Sequence, residues 1–438
     1  MKPLNIAILG CGTVGGGVAS ILTKQKELLS KRAGREINLV TIAEIDPEAA
    51  SKRFNLDKTL FAGGGVKPDR NQAGQNIKDI LTNNNIDLVV ETMGGKSDFV
   101  HDTCLGVLQN NKHLVTANKA LLAERGKDIF EESEKRGIRI GYEAAVCGAI
   151  PIIKGIKECF TGDIIQSVCG IMNGTSNYIL TQMQNQNIDF AQALKLAQEN
   201  GYAEADPSLD INGGDASHKL ILLIKLAFGL EVTMNQLSIT GIQNVTRDDM
   251  EFANEINSKI KLICMACKKD NELFATVRPM VVKNDNALSQ INYAVNAVKL
   301  DNLYSDSHLF TGKGAGSSET AMSIVSDIVF IARHAQSNDY IETANCKLGD
   351  SNKYEFPWLI TFKTEDQPGT TGLIATAIGK QNINIATVSH NRACGNKVVF
   401  SIETEKCTLD QIRMAIEDIK NSKPELLAEE PKVLPILE

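Results

Sequence analysis

The sequence predicts an α/β protein in which a doubly wound parallel sheet is followed by an α+β domain and then by a small βαββα unit. Three observations predict it. Short apolar runs alternate with helical patterns over the first 150 residues, a glycine-rich turn joins the first run to the first helix, and longer helical segments take over after Pro151. Asn5 to Leu9 is the first strand; it enters Gly10-Cys-Gly12-Thr13-Val14-Gly15 and the helical GGVASILTKQKELLS. Ile37 to Ala43, Ile86 to Val90, His113 to Thr116 and Ile138 to Tyr142 are strands two to five. In the second domain the helical segments are Asp189 to Glu199, Ala216 to Phe228, Asp248 to Cys267 and Ser317 to Ala335, with strands at Ile164 to Cys169 and Leu273 to Val277. Residues 341–354 are polar and aperiodic and read as a linker. Beyond them come a strand (Trp358 to Thr364), a turn (Asp366 to Gly369), a helix (Leu373 to Lys380), two strands (Ile383 to His390, Lys397 to Glu403), a helix (Leu409 to Ile419) and a tail rich in Glu, Pro and Leu. The expected domains are 1–150, 151–340 and 355–430, with 341–354 between the last two.

Length and composition narrow the function. At 438 residues and 43% hydrophobic content the chain is long enough for several cores. A formal charge of −7 without long single-sign runs leaves no basic stripe for nucleic acid, so the expected partners are small molecules. The most apolar stretch, Leu220 to Leu230, is interrupted by Lys225 and Gly229 and falls short of the roughly 20 residues that span a bilayer. The N-terminal apolar run meets a glycine turn at once, unlike a signal peptide, so a cytoplasmic protein is expected. Ten scattered cysteines fit a reducing compartment, and Cys264-x-x-Cys267 reads as two buried helix residues and not a metal site.

Gly10, Gly12 and Gly15 stand between a strand and a helix, the setting in which G-x-G-x-x-G makes a Rossmann-like dinucleotide cradle. Glu44 and Asp46 end the second strand, where a carboxylate receives a ribose hydroxyl and disfavours a 2′-phosphate; Lys52 and Arg53 follow closely, which leaves both NAD and NADP open. Lys119 follows the fourth strand at the ligand-binding edge of such a sheet. The stretch from Gly201 to Lys219 is dense in carboxylates and ends in a helix that is apolar nearly all round, with Asp215 and Lys219 one turn apart. A lysine held near carboxylates in such a helix is an acid–base candidate. Cys147 is a candidate nucleophile for an aldehyde-oxidising dehydrogenase, although no His stands near it. Thr311 to Gly316 precedes a helix and lacks the Gly-Lys-Ser/Thr of a P-loop.

GCGTVGGGV, VTANKALLA, YEAAVCGAIPII, IMNGTSNYIL, GYAEADPSLDINGGDASHKL and GKGAGSSETA, in this order, resemble the homoserine dehydrogenase family over about residues 4–335. The C-terminal unit, with DQPG before a helix and NINIATVSH after it, resembles an ACT domain, which implies a ferredoxin-like βαββαβ fold and an amino-acid effector such as threonine. The resemblance implies reversible reduction of L-aspartate 4-semialdehyde to L-homoserine, a step toward threonine, methionine and isoleucine, by a homodimer or homotetramer. It implies Lys219 as proton donor, Asp215 as its partner, and Lys119 beside nicotinamide and substrate. Glu204 and Asp210 would bind the substrate ammonium, and Asn173, Gly174, Thr175, Asn177, Tyr178 and Tyr202 would line the cleft. Thr92, Gly94, Thr116, Gly316 and Glu319 would join the glycine turn around the cofactor. It also implies a monovalent cation, Na+, held by the Glu143 side chain and the carbonyls of Val146, Gly148 and Ile150.

The chain departs from the family at Cys147-Gly148-Ala149 and at Lys313 and Glu319, and Lys313 is expected to meet a cofactor phosphate. Two other readings compete. One is a thiol-dependent aldehyde dehydrogenase acting through Cys147; the other is an amino-acid sensor in which only the C-terminal unit works. The intact set of Glu204, Asp210, Asp215 and Lys219 argues against the sensor.

Overall fold

The computed structural model describes residues 2–64, 69–334, 342–344, 346–389, 392–394 and 397–438. Contacts divide the chain into two compact units, the first made of residues 1–165, 218–234 and 301–345, the second of 166–217, 235–300 and 346–438. The expected cuts near 150 and 340 differ from this because the chain returns to its first unit twice.

In the first unit β1 (Leu4–Leu9), β2 (Ile37–Ala43), β3 (Leu88–Glu91), β4 (His113–Thr116) and β5 (Ile140–Gly141) form a parallel sheet in the order β2-β1-β3-β4-β5. Strand order reverses between β1 and β3, the point at whose carboxyl edge such sheets bind ligands. A parallel sheet needs both faces covered. Part of that cover comes from far along the chain: the helix Ser317–His334 repeats Ala321, Ile324, Val325, Ile328 and Ile331 on one face and joins the core of Ile6, Ile8, Val18, Leu22 and Val90. That periodicity places the helix in the first unit, not in the second domain where the sequence order put it.

The later strands are β6 (Ile165–Ile171), β7 (Ser238–Ile239), β8 (Ser258–Lys269), β9 (Glu272–Lys283), β10 (Val295–Asn302), β11 (Asp306–Lys313), β12 (Lys347–Leu348), β13 (Trp358–Glu365), β14 (Ile385–Val388), β15 (Arg392–Cys394), β16 (Lys397–Thr404) and β17 (Lys432–Leu437). In the second unit they run β10-β6-β8-β9-β17-β13-β16-β14. Three expectations change here. The helix predicted over Asp248 to Cys267 stops at Glu255; Asn257 takes a left-handed turn and the remaining residues form β8, because an apolar run buried on both faces reads alike as helix or strand. Cys264 and Cys267 therefore point to opposite faces of a strand, which precludes a shared site. Part of the expected linker is ordered, since β12 pairs with β9 and a 3-10 turn spans Ser351–Lys353; residues 335–341 and 345, at the expected boundary, lie outside the described residues.

The expected tail is β17, antiparallel to β13 and parallel to β9. Pro435 weakened the strand signal in the sequence, yet it sits in register opposite Trp358. Strands β13, β14, β16 and β17 with the helices Thr370–Lys380 and Leu409–Ser422 make a βαββαβ unit of ferredoxin-like order; His390, at the end of the strand expected to reach it, lies outside the described residues. Through β17 this unit shares one core with the sheet before it, in which Ile263, Met265, Met280 and Val282 pack with Trp358, Phe362, Phe400 and Ile412. No helix of the described residues is long and apolar enough to cross a membrane.

Candidate active site

The glycine turn is shaped by close packing on one side and open space on the other. Gly10 is left-handed at φ +87°, and a Cβ on Gly15 would lie 2.0 Å from the Gly10 carbonyl, so neither position admits a side chain. A Cβ on Gly12 would meet nothing within 4 Å, and the helix Thr13–Lys24 starts there without a side-chain cap. Free amides at a helix N-terminus beside an open glycine suit a pyrophosphate, so these residues fit a dinucleotide. Val14 is half-buried against the sheet core, while Thr13 is exposed and takes the Arg53 guanidinium on its Oγ1 at 3.2 Å.

Glu44, at the end of β2, accepts from the amides of Cys11, Ile45 (2.6 Å) and Asp46 (3.2 Å), which points its carboxylate back to the glycine turn. Burial and that carboxylate together push the Cys11 thiol up to about 12, so it is unreactive.

The carboxyl edges of β3 and β4 are tied together by a residue that sequence reasoning missed. Glu91 is buried and accepts from Met93 and Gly94 amides (2.8 and 3.0 Å) and from Thr116 Oγ1 (2.6 Å). A carboxylate ending the otherwise apolar run LVVE was the available signal. Thr92 Oγ1 donates to the Gly10 carbonyl at 2.8 Å, and half-buried Lys119 opens the helix capped by Asn118. On the returning segment, Ser317 Oγ donates to the Thr13 carbonyl at 2.9 Å, which brings the Gly316 turn against the glycine loop. Lys313, expected to face a phosphate, pairs with Glu319 at 3.2 Å; the backbone amide of Glu319 and this ammonium hold that carboxyl below its ordinary range.

In the second unit Asn173 gathers two candidate carboxylates. Its Nδ2 donates to Asp210 Oδ1 at 2.6 Å and to Asp215 Oδ2 at 2.8 Å, while its Oδ1 caps the helix Gly174–Gln186 through the Ser176 amide. Gly174 sits tightly against the Ala294 carbonyl, 3.0 Å from where a Cβ would stand. Thr175 Oγ1 donates to the Tyr202 carbonyl at 2.7 Å, and Tyr202 stacks on Tyr178 at 4.3 Å. Glu204 is exposed.

The helix Gly214–Phe228 carries Asp215, His218 and Lys219, all buried, followed by the buried run Leu220 to Ile224. His218 Nε2 lies 2.9 Å from Glu124 Oε1, and Glu124 Oε2 takes the Lys96 ammonium at 2.5 Å.

Cys147 is fully buried and left-handed at φ +54°, a conformation that favours glycine and leaves no exposed thiolate to attack a substrate. Glu143 is 2% exposed, and its carboxylate accepts from the Ile153 and Lys154 amides (2.8 and 2.9 Å) with the Lys154 ammonium 3.5 Å away. Lys154 also pairs with Asp327; burial raises both carboxyl pKa values and this ammonium opposes the rise. The Gly148 carbonyl accepts from Ser323 Oγ and the Ile150 carbonyl from the Ile152 amide, both at 2.8 Å. A cation at this loop would share the Glu143 carboxylate with the two amides and the Lys154 ammonium that already hold it.

Comparison with known proteins decides the family. The family model "Homoserine dehydrogenase, NAD binding domain" matches residues 10–143 and "Homoserine dehydrogenase" matches 151–329. A homoserine dehydrogenase of Neisseria gonorrhoeae is 34% identical over 88% of this chain and 87% of its own length. The chain belongs to the homoserine dehydrogenase family. It is an NAD(P)-dependent oxidoreductase. The Pseudomonas aeruginosa homoserine dehydrogenase is 33% identical over 90% of this chain and 89% of its own. The crystal structure of a homoserine dehydrogenase from Thiobacillus denitrificans superimposes with a TM-score of 0.89 at 30% identity, covering 100% of this chain and 99% of that one.

Proposed function

We propose that the chain interconverts L-homoserine and L-aspartate 4-semialdehyde, with Lys219 as the proton donor and acceptor. The observation that carries this reading is the Asn173 clamp on Asp210 and Asp215, with Lys219 one turn beyond Asp215 on a buried helix. Reduction turns a neutral carbonyl into an alkoxide, so an ammonium at that oxygen meets the developing charge and supplies the proton. In oxidation the same amine takes the hydroxyl proton. Asp215 holds this ammonium; Asp210 and Glu204 take the substrate's ammonium; Asn173, Gly174, Thr175 and Tyr202 shape the pocket around it. Lys119 binds beside the reacting carbon. The dinucleotide as a whole would be held at Gly10, Gly12, Thr13, Val14, Gly15, Glu44, Thr92, Gly94, Thr116, Gly316 and Glu319, and its nicotinamide would supply or accept the hydride. A hyperthermophilic archaeal homoserine dehydrogenase of the same fold was solved with NADPH.

The C-terminal βαββαβ unit is read as an ACT domain that binds an amino-acid effector such as threonine, within a cytoplasmic homodimer or homotetramer. Supporting this is a recess lined by Glu365, Asp366, Gln367, Gly369 and Thr370, where acidic groups and the first amides of the helix Thr370–Lys380 suit a zwitterion. The test follows absorbance at 340 nm as the full chain oxidises homoserine with NAD or NADP, with and without threonine. Reduction of either cofactor supports the reading, and its absence from folded protein over alkaline pH overturns it.

A further inference from the structure

Beneath the helix Gly174–Gln186 lies a buried charge that the proposed reaction does not use. Lys261, the fourth residue of β8, is 2% exposed, and its ammonium donates to three neutral oxygens: Asn177 Oδ1 (3.1 Å), the Ile291 carbonyl (2.6 Å) and Asn292 Oδ1 (3.1 Å). Asn177 in turn donates to the Ile291 and Val295 carbonyls at 3.1 and 3.2 Å. Burial, with Lys259 adding, drives the Lys261 pKa down to about 7, so holding a charge here is costly and the three oxygens offset that cost. No carboxylate is among these contacts, so this is no ordinary ion pair.

The 291–296 turn that Lys261 gathers is the surface on which the helix begins. The Ala294 carbonyl and Asn296 Oδ1 stand 3.0 and 3.4 Å from the Cβ position of Gly174. The Tyr293 amide donates to Thr181 Oγ1 at 3.1 Å. One residue before Gly174 is Asn173, whose side chain holds Asp210 and Asp215. We propose that Lys261 is a positioning residue for substrate binding: its ammonium ties the 291–292 turn to Asn177, seats the start of the helix, and so fixes the Asn173 clamp on the two carboxylates.

The inference rests on the homoserine reading, and the experiment separates the two. Lys261→Met keeps the apolar stem and removes the donors; Asn292→Ala removes one acceptor and is the milder change. In the full chain, Lys261→Met is expected to raise the homoserine KM at least tenfold and Asn292→Ala about threefold, with NAD(P) affinity within twofold of wild type. Hydrogen exchange, which needs no substrate, is expected to quicken in Lys261→Met at residues 173–178 and 208–215 while protection of β1 and β3 is kept. Wild-type protein that fails to oxidise homoserine overturns the functional reading alone, because the exchange result still judges Lys261. Unchanged exchange at 173–178 and 208–215, or cofactor affinity lost in step with the homoserine KM, overturns the positioning role. Should Lys261→Met fail to fold, an unchanged homoserine KM in Asn292→Ala overturns it as well.

Discussion

Replacing Asn173 by Ser separates the two tasks of that side chain. Serine is as good an N-cap as asparagine, so the helix start through Ser176 is kept. Its single hydroxyl proton serves at most one of the carboxylates now bound at 2.6 and 2.8 Å. A hydrogen bond to a charged group is worth about 1.5 to 3 kcal/mol, and a site that loses one such bond and loosens the other should lose about 2 to 3 kcal/mol of substrate positioning. At about 1.4 kcal/mol per tenfold, kcat/KM for homoserine should fall roughly 30- to 150-fold. The assay combines steady-state rates over homoserine concentration, cofactor binding by fluorescence and a thermal melt. Asn173→Ala, which also loses the cap, should cost about 1 kcal/mol more in stability. A loss under threefold in Asn173→Ser with an unchanged melt would refute the clamp as a determinant of substrate binding.

Three further outcomes are expected. Cys147→Gly removes a buried sulfur but relieves a left-handed backbone worth about 1 kcal/mol, so stability should shift little and kcat should stay within threefold; abolished turnover would restore the thiol mechanism. Because Glu44 presents a carboxylate fixed by the Cys11, Ile45 and Asp46 amides, NAD should outperform NADP, and Glu44→Ser should move the NADP to NAD ratio of kcat/KM up at least tenfold; an unmoved ratio sinks that assignment. His101 sits between Asp128 (3.0 Å) and Asp102 (3.2 Å); burial works against its protonation, yet the two carboxylates outweigh it and raise its pKa. A raised histidine contributes stability that is full below its unfolded pKa and lost as pH rises through the folded one, so the melting advantage of wild type over His101→Gln should shrink as pH rises above about 6.5; a constant difference contradicts it.

What was legible in the sequence was whatever a local pattern encodes. The change from strand to helix period around Gly10, Gly12 and Gly15 marked the turn, and the carboxylate-rich entry to an apolar helix marked Asp215 and Lys219. Long-range pairing was not legible. Nothing local tells that Asn173 reaches residues 37 and 42 positions away, or that the helix Ser317–His334 covers a sheet that ended near residue 141. Apolar β8 carries too little alternation to separate strand from helix, and Pro435 hid a strand that pairs on both sides. Glu143 drew attention as a cation ligand, and only the fold shows that Lys154 and two amides occupy it.

The proposed reaction turns on Lys219 moving the substrate proton. The most direct measurement compares wild type with Lys219→Ala in homoserine oxidation at 340 nm, with cofactor affinity measured alongside by fluorescence. A fall in kcat of at least a thousandfold with cofactor affinity kept within about threefold is the predicted result. Near-normal turnover by Lys219→Ala would contradict that role of the lysine.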